Sequence, residues 1–369
     1  MKPKRTMNYK SIFIIIVLAF SSHIICAQQV TDSRMYGKSF KVSQRPVLDI
    51  SNKYGNIHIS HSKADSIAIR VEVTASSNDE SRLNKMMSDV DISMTMTNET
   101  VRAQTILGKN VITLFESFKS LTKSIINYES RLQIDYFVEC PSSTILRLNN
   151  SYGDVYIGET TPELTLTMSN GALDADVIRN AVSVDLTFCK ADIRTIEKGR
   201  LSAMFGELTI REAKDLSLIS RSVKIRIENA GELNIDSKRD VITIGTAESI
   251  TGSTYFSDLN SEHLSNEISL LSKYGNLSFE DISHSFSLID INSSYSDIDF
   301  AIAERASYNL EIHHTNAFVS LPGVSPEPER TEINAENKVY LTTAKVGSNP
   351  DRSRIRIEAT KGEIRLLQK

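Results

Sequence analysis

The sequence contains no tryptophan, and it has only three cysteines and seven histidines among 369 residues. Two thiols, Cys140 and Cys189, remain once the N-terminal segment is set aside, which is too few for a disulfide framework. They could form a bridge in an oxidising compartment, but nothing in their spacing requires one. Cys189 alternates with Phe188 near a turn, and we interpret it as a small buried side chain. The fold must therefore depend on a hydrophobic core.

Long hydrophobic runs are also missing, with one exception near the N-terminus. A basic stretch precedes the apolar run Ile12–Phe20, and Ala27 offers a small residue for cleavage. We predict that residues 1–27 are a secretory signal peptide, because the apolar run is too short to span a membrane. The residues directly before Cys26 are His23, Ile24 and Ile25, with no small residue at the cut, so lipidation is not predicted. The expected location is the periplasm, the outer-membrane surface or the extracellular space, with no membrane span in the mature chain.

An excess of positive charge is absent too. Without the four basic residues of segment 1–27, the chain has 38 basic and 46 acidic residues, a net charge of −8. This balance argues against nucleic acid and anionic lipid as partners. The sequence also has no glycine-rich phosphate loop, no nucleophile elbow and no basic stripe interleaved with aromatic residues.

The chain does contain one short phrase many times: an alternating apolar strand, a small polar residue, an aromatic–Gly pair and a second alternating strand. The fullest copies are Ser51–Ile59 (SNKYGNIHI), Asn150–Ile157 (NSYGDVYI) and Ser272–Phe279 (SKYGNLSF). Weaker copies are Ala203–Ile210, Ser293–Phe300 and Thr315–Leu321. Self-similarity at a short period is typical of stacked repeats.

The last three copies share one register, in steps of 21 residues. The aligned columns are Ser272, Ser293 and His314; Tyr274, Tyr295 and Asn316; Leu277, Ile298 and Val319; Phe279, Phe300 and Leu321. Such residues stack directly if successive coils run parallel, each about 4.8 Å above the last. An antiparallel sandwich would also alternate strands with turns, but it needs no shared register. We therefore predict an all-β chain, a right-handed single-stranded parallel β-helix, or solenoid.

Three positions of the phrase have predicted structural roles. The Gly is expected to adopt a left-handed or tight conformation at a corner. The alternating apolar residues are expected to point inward. The polar residue is expected to sit at the corner and bond backbone groups there; its examples are Asn52, Asn150, Ser220, Ser272 and Ser293.

The ends of the chain differ from its middle. Residues 28–140 are predicted to form an N-terminal cap and first coils with short helical inserts, residues 141–322 the β-helix coils, and residues 323–369 C-terminal strands and a cap. Apolar spacing predicts a capped helix over 78–90 and an amphipathic insert over 107–126.

The succession SNKYGNIHI, ADSIAIRVEVTA, a helix, VDISM, LQIDYFVECP and ILRLNNSYGDVYI resembles a family of bacterial "putative adhesins". These are domains of unknown function related to head-GIN autotransporter adhesins, and the export signal is similar to those of Bacteroidetes. The resemblance covers most of the chain after residue 27. It implies an exported right-handed β-helix, and it supplies no catalytic residues.

Parallel β-helices also include polysaccharide-active enzymes, which would need two carboxylates placed for acid–base work. Asp174 with Asp192, or Asp297 with Asp299, are the candidates. Acidic residues recur after the corner, at Asp154, Asp192, Glu207, Glu232 and Asp297, and turn preference explains them without catalysis. We interpret the acidic residues as a solvated outward row.

The histidines do not predict a metal site. His58 lies near His61, and His313 is adjacent to His314, but neither pair has further ligands at suitable spacing. His314 aligns with Ser272 and is expected at a corner. No metal, cofactor or catalytic residue is predicted.

The best candidates for binding are the tyrosines beside the corner glycines, Tyr54, Tyr152, Tyr274 and Tyr295. They could form a stacked ladder that only covers each corner, or a stripe that binds a glycan or a protein. We predict a monomeric, non-enzymatic, exported interaction module that binds along one coil face. The alternative is a polysaccharide-active enzyme that uses the outward carboxylates.

Overall fold

The computed structural model describes residues 29–109, 111–112 and 130–369, and for residues 159 and 160 it describes the backbone only. The predicted signal peptide and most of the predicted 107–126 insert lie outside these residues.

The described residues are nearly all β, and their 22 strands belong to one hydrogen-bonded sheet. The first nine strands are β1 (Val30–Lys41), β2 (Val47–Lys53), β3 (Ile57–Ser62), β4 (Ser66–Ser77), β5 (Val90–Thr97), β6 (Thr100–Leu107), β7 (Ser130–Pro141), β8 (Ile145–Ser151) and β9 (Val155–Thr161). The next are β10 (Leu164–Ile178), β11 (Ala181–Lys238), β12 (Val241–Tyr255), β13 (Asp258–Lys273), β14 (Asn276–Ile282), β15 (Leu288–Ser294) and β16 (Asp297–Ile302). The last are β17 (Tyr308–Thr315), β18 (Phe318–Ser320), β19 (Glu329–Asn334), β20 (Val339–Val346), β21 (Arg354–Thr360) and β22 (Glu363–Gln368).

The helix predicted over 78–90 is confirmed as α1, Glu80–Ser88. It begins where the Asp79 carboxylate accepts hydrogen bonds from the backbone N–H groups of Ser81 and Arg82, at 2.8 and 3.2 Å. Its buried face carries Leu83, Met86 and Met87. A 3-10 turn, Pro350–Arg352, precedes β21.

The central strands pair in parallel, each with the chain 17 to 21 residues further on. Leu166 of β10 pairs with Val184, Ile225 of β11 pairs with Ile242, and Ile268 of β13 pairs with Ile289. The antiparallel sandwich is therefore wrong for this part of the sheet. The inward rows are confirmed, because all these side chains are buried, and each contributes about 1.5–3 kcal/mol when fully buried.

The C-terminal strands do not continue this order. β21 pairs in parallel with β15 on one side and with β17 on the other. In the same way, β22 lies between β16 and β18. The prediction that Tyr295 and Asn316 belong to directly stacked segments is wrong, because the chain terminus inserts between them. The 21-residue period gave no signal of an insertion that joins residues 66 positions apart.

The N-terminal strands show a second long-range connection. β2 pairs in parallel with β8 and with β6, while β3 pairs with β9 and with β7. β7 and β1 flank β4 in antiparallel pairs. At the opposite end of the sheet, β20 pairs antiparallel with β17, and β19 pairs antiparallel with β20.

Both cysteines are buried free thiols. Burial raises the pKa of the Cys140 thiol to about 11. The interpretation of Cys189 as a buried filler is confirmed, and the alternative bridge is not formed.

Tyr308 is fully buried, and among the described residues no group accepts or donates a hydrogen bond at its hydroxyl. Burial raises its pKa. We expect Tyr308→Phe to increase the free energy of unfolding by about 1 kcal/mol, because it removes a buried polar group that lacks a partner. Urea unfolding measures this. Tyr136→Phe is the control, because the Tyr136 hydroxyl lies 2.8 Å from Thr105 Oγ1. Loss of this hydrogen bond should lower the free energy of unfolding by about 1 kcal/mol. If both variants lost the same free energy of unfolding, the Tyr308 hydroxyl could not be the unpartnered one of the two.

Candidate binding surface along the corner ladder

One corner of the fold is lined by residues with a left-handed backbone. Twelve residues with φ between 50° and 66° follow one another from strand segment to strand segment. We call them the corner ladder, and each residue a rung. In spatial order the rungs are Tyr54, Tyr152, Asn170, Phe188, Phe205, Ser222, Arg239, Phe256, Tyr274, Tyr295, Lys361 and Asn316.

The predicted left-handed glycine is wrong at the corner. In the aromatic–Gly pairs Tyr152–Gly153 and Tyr274–Gly275, the positive φ belongs to the tyrosine. The residue after the tyrosine is glycine because a Cβ atom there would collide with backbone of the neighbouring segment. At Gly153 the Cβ would lie 1.9 Å from the Gly55 carbonyl oxygen, and at Gly275 it would lie 2.0 Å from the Ser257 carbonyl oxygen. Close approach between neighbouring segments therefore requires the glycine.

Seven rungs are aromatic, and their rings stack in three runs. Tyr54 lies on Tyr152 with ring centroids 5.5 Å apart, and Phe188 lies on Phe205 at 5.0 Å. The longest run is Phe256, Tyr274 and Tyr295, with spacings of 4.8 and 5.1 Å. Interplanar angles are 12° to 27°.

All four tyrosines proposed from the sequence lie on the ladder, but they do not form one continuous stack. The phenylalanine rungs were missed as binding candidates. Phe205 stands in a recognised weak copy of the phrase, and its place there could have identified it. At Phe188 and Phe256 the glycine of the phrase is replaced by Cys189 and Ser257, which hides the match.

Stacking leaves the ring edges and hydroxyls as the accessible parts of each run. Tyr152, Phe188, Phe205, Phe256, Tyr274 and Tyr295 are 36% to 57% exposed. Edges carry partial positive charge, and tyrosine hydroxyls both donate and accept hydrogen bonds. The surface is a narrow stripe suited to mixed apolar and polar contact.

Lysines lie over the ends of two runs. Lys361 Nζ lies 4.6 Å from the Tyr295 ring centroid and donates a hydrogen bond to its hydroxyl at 2.9 Å. That hydrogen bond raises the pKa of Lys361. Lys53 Nζ lies 4.8 Å from the Tyr54 ring centroid. Cations over ring faces are attracted by the ring quadrupole.

A buried polar row underlies the ladder, two residues before the rungs. Its members are Asn52, Asn150, Ser220, Ser237, Thr254, Ser272, Ser293 and His314. Asn52 Nδ2 donates to the carbonyl oxygens of Gly55 and Ile134, as predicted for the corner. Ser272 instead joins a hydroxyl chain, accepting from Thr254 and donating to Ser296, both at 3.1 Å. His314 is buried at the predicted corner, and burial lowers its pKa.

Asp240 is a buried carboxylate that contacts this row, and it accepts four hydrogen bonds. The donors are the hydroxyls of Ser220 and Ser237, at 2.6 and 2.7 Å, and the backbone N–H groups of Val223 and Lys238, at 2.7 and 3.0 Å. We expect Asp240→Ala to lower the free energy of unfolding by about 3 kcal/mol, because it strands these donors. Denaturant titration tests this against the exposed Asp236→Ala, which should change stability by less than about 0.5 kcal/mol. A near-neutral Asp240→Ala would contradict it.

The acidic residues after the corner link neighbouring segments. The carboxylates of Asp154 and Asp297 accept from the backbone N–H groups of Ala172 and Glu363, at 2.7 and 2.8 Å. These two carboxylates therefore hold neighbouring segments together, a role that the sequence did not predict. Asp299 forms an ion pair with Arg365 at 2.7 Å. Both carboxylates of the Asp297–Asp299 candidate pair therefore bind groups of the neighbouring segment.

The other candidate pair, Asp174 and Asp192, is brought together. The two residues are partners in adjacent parallel strands and are exposed.

The histidines are dispersed among separate packing roles. His58 is stacked between Phe137 and Tyr156, with ring centroids 5.0 and 4.6 Å away. His313 Nε2 lies 2.9 Å from a Glu311 carboxylate oxygen. Within the described ranges, no group of three or more His, Cys, Asp or Glu side chains could hold a metal ion.

No protein-family model matches the sequence, and no curated protein matches it either. Solved structures give distant likenesses. A "putative adhesin" from Bacteroides fragilis is 16% identical, with 67% of this chain and 96% of that chain covered and a TM-score of 0.33. A "putative adhesin" from Parabacteroides distasonis is 9% identical, with 91% and 98% covered and a TM-score of 0.30. A "putative cell adhesion protein" from Clostridium sporogenes is also 9% identical, with 92% and 100% covered and a TM-score of 0.18.

Among the residues that the structure describes, no helix is long and apolar enough to cross a bilayer.

Proposed function

We propose that the protein is an exported, monomeric, non-enzymatic binding module whose corner ladder is the contact surface for a glycan or protein partner. The observation that carries the proposal is the alignment of seven aromatic rungs along one corner, most of them about half exposed. The periplasm, the outer-membrane surface and the extracellular space are the locations consistent with the predicted signal peptide.

The proposal includes a right-handed parallel β-helix as the scaffold. Parallel pairs at offsets of 17, 18 and 21 residues support it, because each segment then lies directly above the previous one. The chirality of parallel crossovers supports the right hand. Such a scaffold presents equivalent residues at a constant spacing of about 4.8 Å.

Backbone conformation also supports a role for the rings in binding. A bulky residue with φ near 60° costs on the order of 1–2 kcal/mol relative to the right-handed region, a cost that Gly or Asn largely avoids. Asn occupies the rung at Asn170 and again at Asn316, so the corner accepts it. Rings at seven rungs therefore retain a strain that the fold does not require. Strained residues of this kind cluster at functional sites.

The test is a glycan and protein binding screen with a ladder variant. Phe256→Asn, Tyr274→Asn and Tyr295→Asn are combined, because Asn keeps the left-handed backbone. We expect the triple variant to stay folded and to lose at least about tenfold in affinity for any partner found. Phe318→Asn, at a 65% exposed ring outside the ladder, is the control. A partner that binds the unmodified protein, the triple variant and a Phe188→Asn/Phe205→Asn variant equally well would refute the ladder as contact surface.

A further inference from the structure

The aromatic ladder is interrupted between Phe205 and Phe256, where the rungs are Ser222 and Arg239. Neighbouring rungs are about 4.8 Å apart, so the two phenylalanines are separated by about 14 Å. Phe188 covers one face of Phe205, and the next rung on the other side of Phe205 is Ser222. No other described ring or cation contacts Phe205. We call the two rungs Ser222 and Arg239 the ladder gap.

Basic side chains surround the ladder gap. Five of them lie on the two segments that cross it, and all five are exposed: Arg221, Lys224, Arg226, Lys238 and Arg239. No described carboxylate lies within ion-pair distance of any of the five. Lys238 Nζ lies 5.4 Å from the Tyr255 ring centroid, while Arg239 has no side-chain partner among the described residues.

Acidic side chains near the gap are engaged in hydrogen bonds or ion pairs. Asp240, next to Arg239, is buried and accepts four hydrogen bonds within the fold, and Asp236 accepts one from Ser253. Glu207 lies 3.8 Å from Lys190, on the side away from the gap. Asp258 accepts hydrogen bonds from the backbone N–H and Nδ2 of Asn276, at 3.1 and 2.8 Å. The chain as a whole carries a net charge of −4, so this cationic patch is a local exception and selects for an anionic ligand.

We propose that the ladder gap binds a carboxylated sugar unit of an acidic polysaccharide. The pyranose ring packs on the face of Phe205 over the small Ser222 rung, and the carboxylate is bound by the Arg239 guanidinium. Arginine suits this task because its planar fork pairs with a carboxylate through two parallel hydrogen bonds. A ring ligand is favoured over an acidic peptide, because the small Ser222 side chain leaves room for one ring thickness beside the face of Phe205 that Phe188 does not cover. The inference rests on the proposed binding role of the corner ladder.

Binding of polygalacturonate to the complete protein tests this inference. Fully methyl-esterified polygalacturonate serves as the neutral sugar probe, and poly-glutamate as the acidic probe without sugar. We expect affinity for polygalacturonate only, decreasing with added salt because the contact is ionic. Arg239→Gln should weaken it about tenfold or more, as expected for a lost charge-assisted hydrogen bond.

Ser222→Tyr provides an independent variant, because it places an aromatic ring at the rung where the proposed sugar ring would lie. It should fold, since Tyr274 occupies an equivalent rung at the same φ of 56°, and it should weaken polygalacturonate binding by a similar factor. Arg305→Gln removes one exposed charge in a turn away from the ladder and should bind as the unmodified protein does.

Three results would overturn the inference: no polygalacturonate binding by the unmodified protein, unchanged binding by both gap variants, or equal binding of poly-glutamate. Failure of the general proposal is distinguishable, because there every partner would bind normally when the aromatic runs Phe188–Phe205 and Phe256–Tyr274–Tyr295 are both replaced.

Discussion

Deletion of residues 354–369 is expected to abolish the cooperative fold of the C-terminal third of the chain. These residues form β21 and β22, which hydrogen-bond to strands on both sides. Their loss would expose two facing edges and remove the buried Ile355, Ile357, Ile364 and Leu366, each contributing about 1.5–3 kcal/mol. Open strand edges also promote aggregation. Size-exclusion chromatography and thermal unfolding by circular dichroism measure the outcome.

Single substitutions in β21 and in two other strands control for the size of the deletion. Ile357→Ala should cost about 2–5 kcal/mol, as should Ile291→Ala in the neighbouring β15, because both side chains are fully buried. Ile333→Ala, in the exposed edge strand β19, should be near neutral. If the truncated chain unfolded at the same temperature as the complete one, the insertion of β21 and β22 would be refuted.

Gly153→Ala is expected to destabilise the fold strongly, although alanine is acceptable at its backbone conformation. The new Cβ would lie 1.9 Å from the Gly55 carbonyl oxygen. The segments that carry Gly55 and Gly153 would have to move apart, which would weaken the hydrogen bonds between them. Overpacking costs about 1–3 kcal/mol where side chains can yield, and here the obstacle is backbone. We therefore expect at least about 3 kcal/mol in urea unfolding.

Gly37→Ala is the matched control for this substitution. Gly37 lies in β1, and a Cβ there would meet nothing within 4 Å. Its replacement should be neutral or slightly stabilising, because alanine reduces the entropy of the unfolded chain. Equal effects of the two substitutions would show that close approach does not explain the glycine at the corner.

The sequence predicts the β-rich class, the inward rows and the corner tyrosines, because each depends on alternation or on a repeated phrase. Leu166, Ile225 and Ile268 are buried in parallel pairs, as period two and the aligned columns indicate. The helix Glu80–Ser88 is also predictable, since Asp79 and the apolar spacing are local signals.

Other features depend on contacts that local patterns do not encode. The pairing of Ile289 with Ile355 joins residues 66 positions apart, and the sequence of β21 resembles any other alternating strand. The role of Gly153 depends on the position of Gly55, nearly a hundred residues earlier. A period indicates which residues are equivalent, but it does not specify which equivalent segments are neighbours.

Disulfide trapping between rungs tests the order of the segments most directly. Cysteine pairs are placed at rungs 295 and 361, 361 and 316, and 295 and 316, while the native Cys140 and Cys189 stay buried. Adjacent rungs lie about 4.8 Å apart and can be bridged, whereas rungs two steps apart are about 10 Å apart and exceed the reach of a disulfide. We predict efficient oxidation of the Tyr295→Cys/Lys361→Cys and Lys361→Cys/Asn316→Cys pairs and none of the Tyr295→Cys/Asn316→Cys pair. Efficient formation of that third disulfide, with failure of the first two, would contradict the parallel stack and its inserted C-terminal strands.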